Sequence, residues 1–84
     1  MLNDFTIHGT AIGTTTSLQL DEISILATPQ TLRELGQFLI HASEQMTTHG
    51  LEHLHLQDAL QDFSPEQHVD IIALNKDQIP PTKP

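Results

Sequence analysis

The stretch Thr28–Gly50, TPQTLRELGQFLIHASEQMTTHG, decides the fold. Thr28 is a natural helix N-cap, because its hydroxyl can accept a hydrogen bond from an otherwise unpaired N–H of the first turn. Pro29 fits the first helical position, where its missing N–H costs nothing. Leu32, Leu35, Leu39, Ala42 and Met46 fall within about 80° on a 3.6-residue wheel. Phe38 flanks that stripe on one side. Gly36 and Ser43 flank it on the other and allow close approach to a sheet. Arg33, Glu34, Gln37, His41, Glu44 and Gln45 occupy the opposite face. Gly50 is a C′ stop, so the pattern predicts one amphipathic helix from about Pro29 to about His49.

The flanks of this helix read as strands. From Asp4 to Ile12, Phe5 and Ile7 alternate with Thr6 and His8, a period of two. Gly9 interrupts the pattern as a bulge would, and Gly13-Thr14-Thr15 is a turn candidate. Thr16 to Thr28 is again β-like, but its parity breaks. Leu18 and Leu20 share one face, and Ile23 and Ile25 the other. Either a tight turn or a bulge at Asp21-Glu22 would restore a common face. Asp-Glu suits a tight turn poorly, since neither residue readily takes positive φ, which favours one long kinked strand. Glu52 to Gln57 alternates Leu54 and Leu56 with His53 and His55. Val69 to Asn75 is almost continuously apolar and reads as a central or doubly covered strand. Asp58 to His68 is polar, with Ser64-Pro65, and reads as a loop or a short turn of helix.

The expected fold is therefore α+β. An antiparallel sheet of about four strands, in the order β-β-α-β-β, carries the helix on one face. Residues 1–77 form the domain, and 78–84, with three Pro in the last five positions, form a frayed tail. One helix cannot cover both faces of such a sheet. The second face must meet solvent, a second copy or a partner, so a homodimer is one way to cover Ile72 and Leu74.

Composition narrows the function classes. Eighty-four residues make one small domain with an expected folded surface of roughly 5,000 Å². Cys is absent, so thiolate chemistry and disulfides are excluded. Eleven acids face three bases, for a net charge of −8 with His neutral. Such a chain repels phosphate backbones, so neither nucleic acid nor an anionic membrane is an expected partner. A basic protein is. No transmembrane run or secretory leader is visible, which makes the cytoplasm the expected compartment.

Two constellations can carry chemistry. His53 and His55, two apart on a strand, point the same way and resemble half of a metal site, with Asp58 or His8 as a third ligand. The commoner fate of such a pair is a solvated polar face, and no metal or other cofactor is assigned. The second constellation is acidic. Glu52, Asp58, Asp62, Glu66 and Asp70 lie within nineteen residues, and no Lys or Arg occurs from Met46 to Asn75. This set suits docking of a basic protein, although acids most often serve only solubility. No serine elbow or phosphate-binding glycine loop occurs, so no enzyme is expected.

ILATPQTLRELGQFLIHASEQMTTHG, EHLHLQD and VDIIALN together resemble the immunity protein 32 family of bacterial polymorphic-toxin systems. The matching features are a strand ending in A-[ST]-P, a helix with L-R-E-L and F-L, an H-x-H-x-x-D segment, and a closing D-I-I strand with Asn. They span roughly Asp4 to Asn75, and none is a catalytic signature. The loop Ala59–His68 departs from the pattern in being less acidic. The resemblance implies a cytoplasmic protein that binds and blocks the toxin encoded beside it. Joined to the charge pattern, it makes Glu52, His53, His55, Asp58, Asp62 and Asp70 the candidate toxin-binding residues. A small metal- or ligand-binding module built on His53 and His55 is the alternative.

Overall fold

The computed structural model describes residues 2–79. Its elements are β1 (Ile7–Thr10), β2 (Ser17–Leu20), α1 (Pro29–His49), β3 (His53–His55), α2 (Leu56–Ala59) and β4 (Ile72–Leu74). The class is α+β, as expected. The four strands do not form one sheet. β1 pairs with β2, and β3 pairs with β4, giving two separate antiparallel pairs.

Helix α1 has the expected ends. The Thr28 hydroxyl accepts the Thr31 N–H at 3.2 Å, and Pro29 opens the first turn. Gly50 takes φ 63° and ψ 29°, and its N–H donates to the Met46 carbonyl at 2.9 Å. A left-handed backbone at this site is where the absent Cβ matters.

The buried face of α1 is rotated from the expected stripe. Phe38 (5% exposed) and Ala42 are the buried helix residues, joined by half-buried Leu35, Gly36, Gln45 and Met46. Leu32 and Leu39 stay 45% and 54% exposed. The reason is the width of the partner. A four-stranded sheet would cover a broad stripe, but among the strands α1 packs chiefly against β3, in a two-stranded sheet. The bulkiest side chain, Phe38, then takes the centre of a narrow contact. Leu56, at the start of α2, completes the core at 3% exposure. An added Cβ on Gly36 would meet nothing within 4 Å, so this glycine does not mediate close helix–sheet approach.

The β1–β2 register is unbroken, with Ile7 opposite Leu20 and Gly9 opposite Leu18. Gly9 therefore marks no bulge. A Cβ there would lie 3.0 Å from Leu20 Cδ1, so the glycine makes room for the leucine that leans across it. The chain reverses at Ala11–Thr14, where Thr14 N–H donates to the Ala11 carbonyl at 3.0 Å. β2 stops at Leu20, and Asp21 bends the chain. Neither a tight turn nor a continuing kinked strand occupies Glu22–Thr28, which runs on without regular structure to the helix cap.

β3 is shorter than its alternating pattern, because Leu56 begins a helical turn instead of continuing the strand. β4 is an edge of a two-stranded sheet, not a central strand, and Ile72, Leu74 and Val69 are exposed. Asn75 ties this region together. Its backbone N–H donates to the Glu52 carbonyl at 2.7 Å, and its amide donates to the Leu51 carbonyl at 2.9 Å. Of the stretch 78–84 read as a tail, residues 80–84 lie outside the described residues. Gln78 N–H donates to the Asn75 carbonyl at 3.0 Å.

Candidate functional site

The β3–β4 register places half-buried Leu54 opposite half-buried Ala73 on one face, and sets His53 opposite Leu74 and His55 opposite Ile72 on the other. Alternation thus brings two imidazoles and two aliphatic side chains to one surface. The His53 and His55 rings sit edge to face with centroids 5.4 Å apart.

Asp70 fixes the end of this strand. Its Oδ2 lies 2.7 Å from His55 Nδ1, and its Oδ1 accepts the Gln57 N–H at 3.0 Å. An ionised carboxylate only accepts, so Nδ1 is the donor and Nε2 is left for another partner. Burial by itself would raise the Asp70 pKa. The hydrogen bonds from His55, Gln57 and Ile71, together with the imidazole's charge, outweigh it and hold the carboxyl below its ordinary value. The Gln57 bond explains the local fold, because it holds the backbone where β3 gives way to α2.

An open cleft of about 250 Å³ lies between α1 and β3, lined by His41, His53, Leu54, His55, Asp58 and Ala59. Three successive strand residues line it although their side chains alternate in direction. The cleft therefore follows the edge of β3 and not one of its faces. Sequence reading placed His41 on the polar side of the helix and missed it as a lining residue. Only the rotation of α1 onto Phe38 and Ala42 brings His41 to the cleft rim.

Of the sequence-derived candidates, the structure brings His53, His55 and Asp58 to the cleft and joins Asp70 to His55. Glu52 precedes β3 and is exposed, and Asp62 lies exposed in the turn after α2. Among the described residues, no three His, Cys, Asp or Glu side chains form a group that could hold a metal ion. His8, considered as a third ligand, belongs to β1 in the other sheet, where its ring bonds to the Thr6 hydroxyl at 3.1 Å. The structure thus does not assemble the metal centre of the alternative reading.

The family model for immunity protein 32 matches residues 22–76. That span takes in α1, the β3–β4 pair and the cleft between them. The chain belongs to the immunity protein 32 family. The match begins at Glu22 and leaves the β1–β2 hairpin outside it. No curated protein and no solved structure matches the chain. Among the described residues, no helix is long and apolar enough to cross a membrane.

Proposed function

We propose that this immunity protein acts as a stoichiometric inhibitor in the cytoplasm, binding a basic toxin domain through the acids around β3 and the loop after α2. Membership of the family supports a toxin partner. The observation that carries the rest is electrostatic. Glu52, Asp58 and Asp62 are exposed, and the chain from Met46 to Asn75 holds no Lys or Arg to neutralise them. A surface of one sign steers an oppositely charged partner and speeds its encounter.

The six candidates divide by role. Glu52, Asp58 and Asp62 are free to meet cationic side chains of the toxin. His53 and His55 offer ring edges beside them. Asp70 is a positioning residue, since both of its oxygens are engaged in holding His55 and Gln57.

The test is stopped-flow association with the toxin encoded alongside, across a salt series, for wild type, Asp58→Lys and Asp62→Lys. The on-rate should fall as the Debye length shrinks from about 30 Å at 0.01 M to about 8 Å at 0.15 M. Both reversals should lower it further. A rate indifferent to salt, with both variants still protecting cells, would make the acids a solubilising surface only.

A further inference from the structure

Two halves of an unmade β-ladder lie exposed on the same chain. The first is the free edge of β3. Asn75 N–H donates to the Glu52 carbonyl, and Leu56 N–H donates to the Ile71 carbonyl. The ladder bonds to β4 therefore fall on even-numbered residues of this stretch. In an antiparallel pair the intervening residues aim their N–H and C=O groups the other way, so the backbone groups of His53 and His55 point away from β4, along the edge that the cleft follows. No described strand pairs with that edge.

The second half is Glu22–Ala27, sequence EISILA. Its Ile and Leu content is that of a strand, yet none of its backbone groups bonds to another described residue. Ile23 and Ile25 are about half exposed, and Leu26 is fully exposed. An unpaired apolar segment of this kind is a template for strand addition.

We propose that Glu22–Ala27 of one copy adds as a third strand to the free edge of β3 in a second copy, and that the exchange is reciprocal. Each chain supplies one donor segment and one acceptor edge, so a two-fold axis satisfies both and the assembly closes as a dimer.

The area on offer fits a second copy. The chain exposes 7690 Å², about 2,700 Å² more than a compact chain of its mass. Its radius of gyration is 13.9 Å against roughly 12 Å for 84 compact residues. That excess leaves room on each copy for the roughly 800 Å² that a standard interface takes from each partner. The need for cover is also constant. Among the described residues, Phe38, Ala42 and Leu56 are the buried hydrophobic ones, and a partner present whenever the chain is made is another copy of it. The donor itself brings little charge to the β3 edge. Asp21 and Glu22 sit at one end of the donor, and the segment Ile23–Ala27 that would lie along β3 carries no charge.

The test uses the full chain. Sedimentation should give a species of twice the 9.3 kDa chain mass. Two chains of net charge −8 repel, so added salt should strengthen this association while it slows toxin binding. Ser24→Pro and Ile25→Pro together remove two successive N–H groups, one of which must face the acceptor edge in either register, from a segment that makes no backbone bond within the described chain, and Leu26→Lys charges the exposed site. Both should give a monomer with unchanged helical circular dichroism. The decisive sample mixes ¹⁵N-labelled wild type with unlabelled Ser24→Cys chain carrying a nitroxide, a clean attachment because the chain has no other Cys. Broadening of the labelled amides at His53–His55 supports the exchange. A strict monomer at high concentration, or a dimer without that broadening, overturns it.

Discussion

Asp70 Oδ2 lies 2.7 Å from His55 Nδ1, across fifteen residues of sequence. The same carboxylate accepts the Gln57 N–H. One side chain thus orients an imidazole of the candidate site and sets the point where β3 becomes α2. Charge-assisted hydrogen bonds of this kind are shorter and stronger than neutral ones.

Removing the carboxylate should loosen both contacts. Asp70→Ala is expected to cost about 1.5–3 kcal/mol, read as a lower urea midpoint with unchanged slope. The pH dependence follows from the sign of the shift. Because folding lowers the Asp70 pKa, its contribution is fully present above the unfolded carboxyl value of about 3.9 and is lost as pH falls through the folded value. Stability curves of wild type and Asp70→Ala should therefore converge on acidification below pH 4. Parallel curves at pH 2–7 would show that the pair is not the source.

The rotation of α1 separates two substitutions that its sequence stripe treats alike. Phe38 fills the core contact while Leu39 is more than half exposed. Phe38→Ala should cost roughly 3–5 kcal/mol. Leu39→Ala should cost less than about 1 kcal/mol. Chemical denaturation of the two variants checks the order, and equal losses would restore the broader stripe centred on Leu39.

The helix ends make a paired prediction. Thr28→Ala removes the acceptor for the Thr31 N–H and should cost about 1 kcal/mol. Gly50→Ala forces a Cβ onto a residue with φ 63° and should cost about 1–2 kcal/mol. Each kilocalorie should lower the melting temperature by about 4–8 °C in a domain of this size. A Gly50→Asn variant should recover part of the loss, because Asn tolerates the left-handed region better than Ala.

Lys76 Nζ lies 2.8 Å from Asp4 Oδ2. A hydrogen bond from Lys76 and its charge hold the Asp4 carboxyl below its ordinary value, with a smaller contribution from Asp4's own backbone N–H. Both side chains are exposed, where solvent screens such pairs. Lys76→Ala should raise the Asp4 pKa in an NMR titration and leave the melting temperature unchanged. A clear drop in melting temperature would show that this contact docks the segment before β1.

Helix α1 was legible residue by residue because its signals are local. A Thr-Pro cap and a left-handed Gly act within one turn, so Thr28, Pro29 and Gly50 set its limits in any tertiary context. The hairpin face of Leu18 and Leu20 and the shared face of His53 and His55 were legible for the same reason, since strand parity is a property of successive residues. The number of strands in a sheet is not local. Whether β1–β2 joins β3–β4 depends on pairings across the 21-residue helix, and no period within either strand specifies them. The helix face that buries Phe38 instead of Leu39 follows from the width of the sheet it meets. His41 reaches the cleft, and Asp70 reaches His55, only because the chain packs three-dimensionally. Sequence alone determined the α+β class, the helix limits and the negative charge. Tertiary structure decided which edges and apolar side chains remain open, because those depend on what each element finds to pack against.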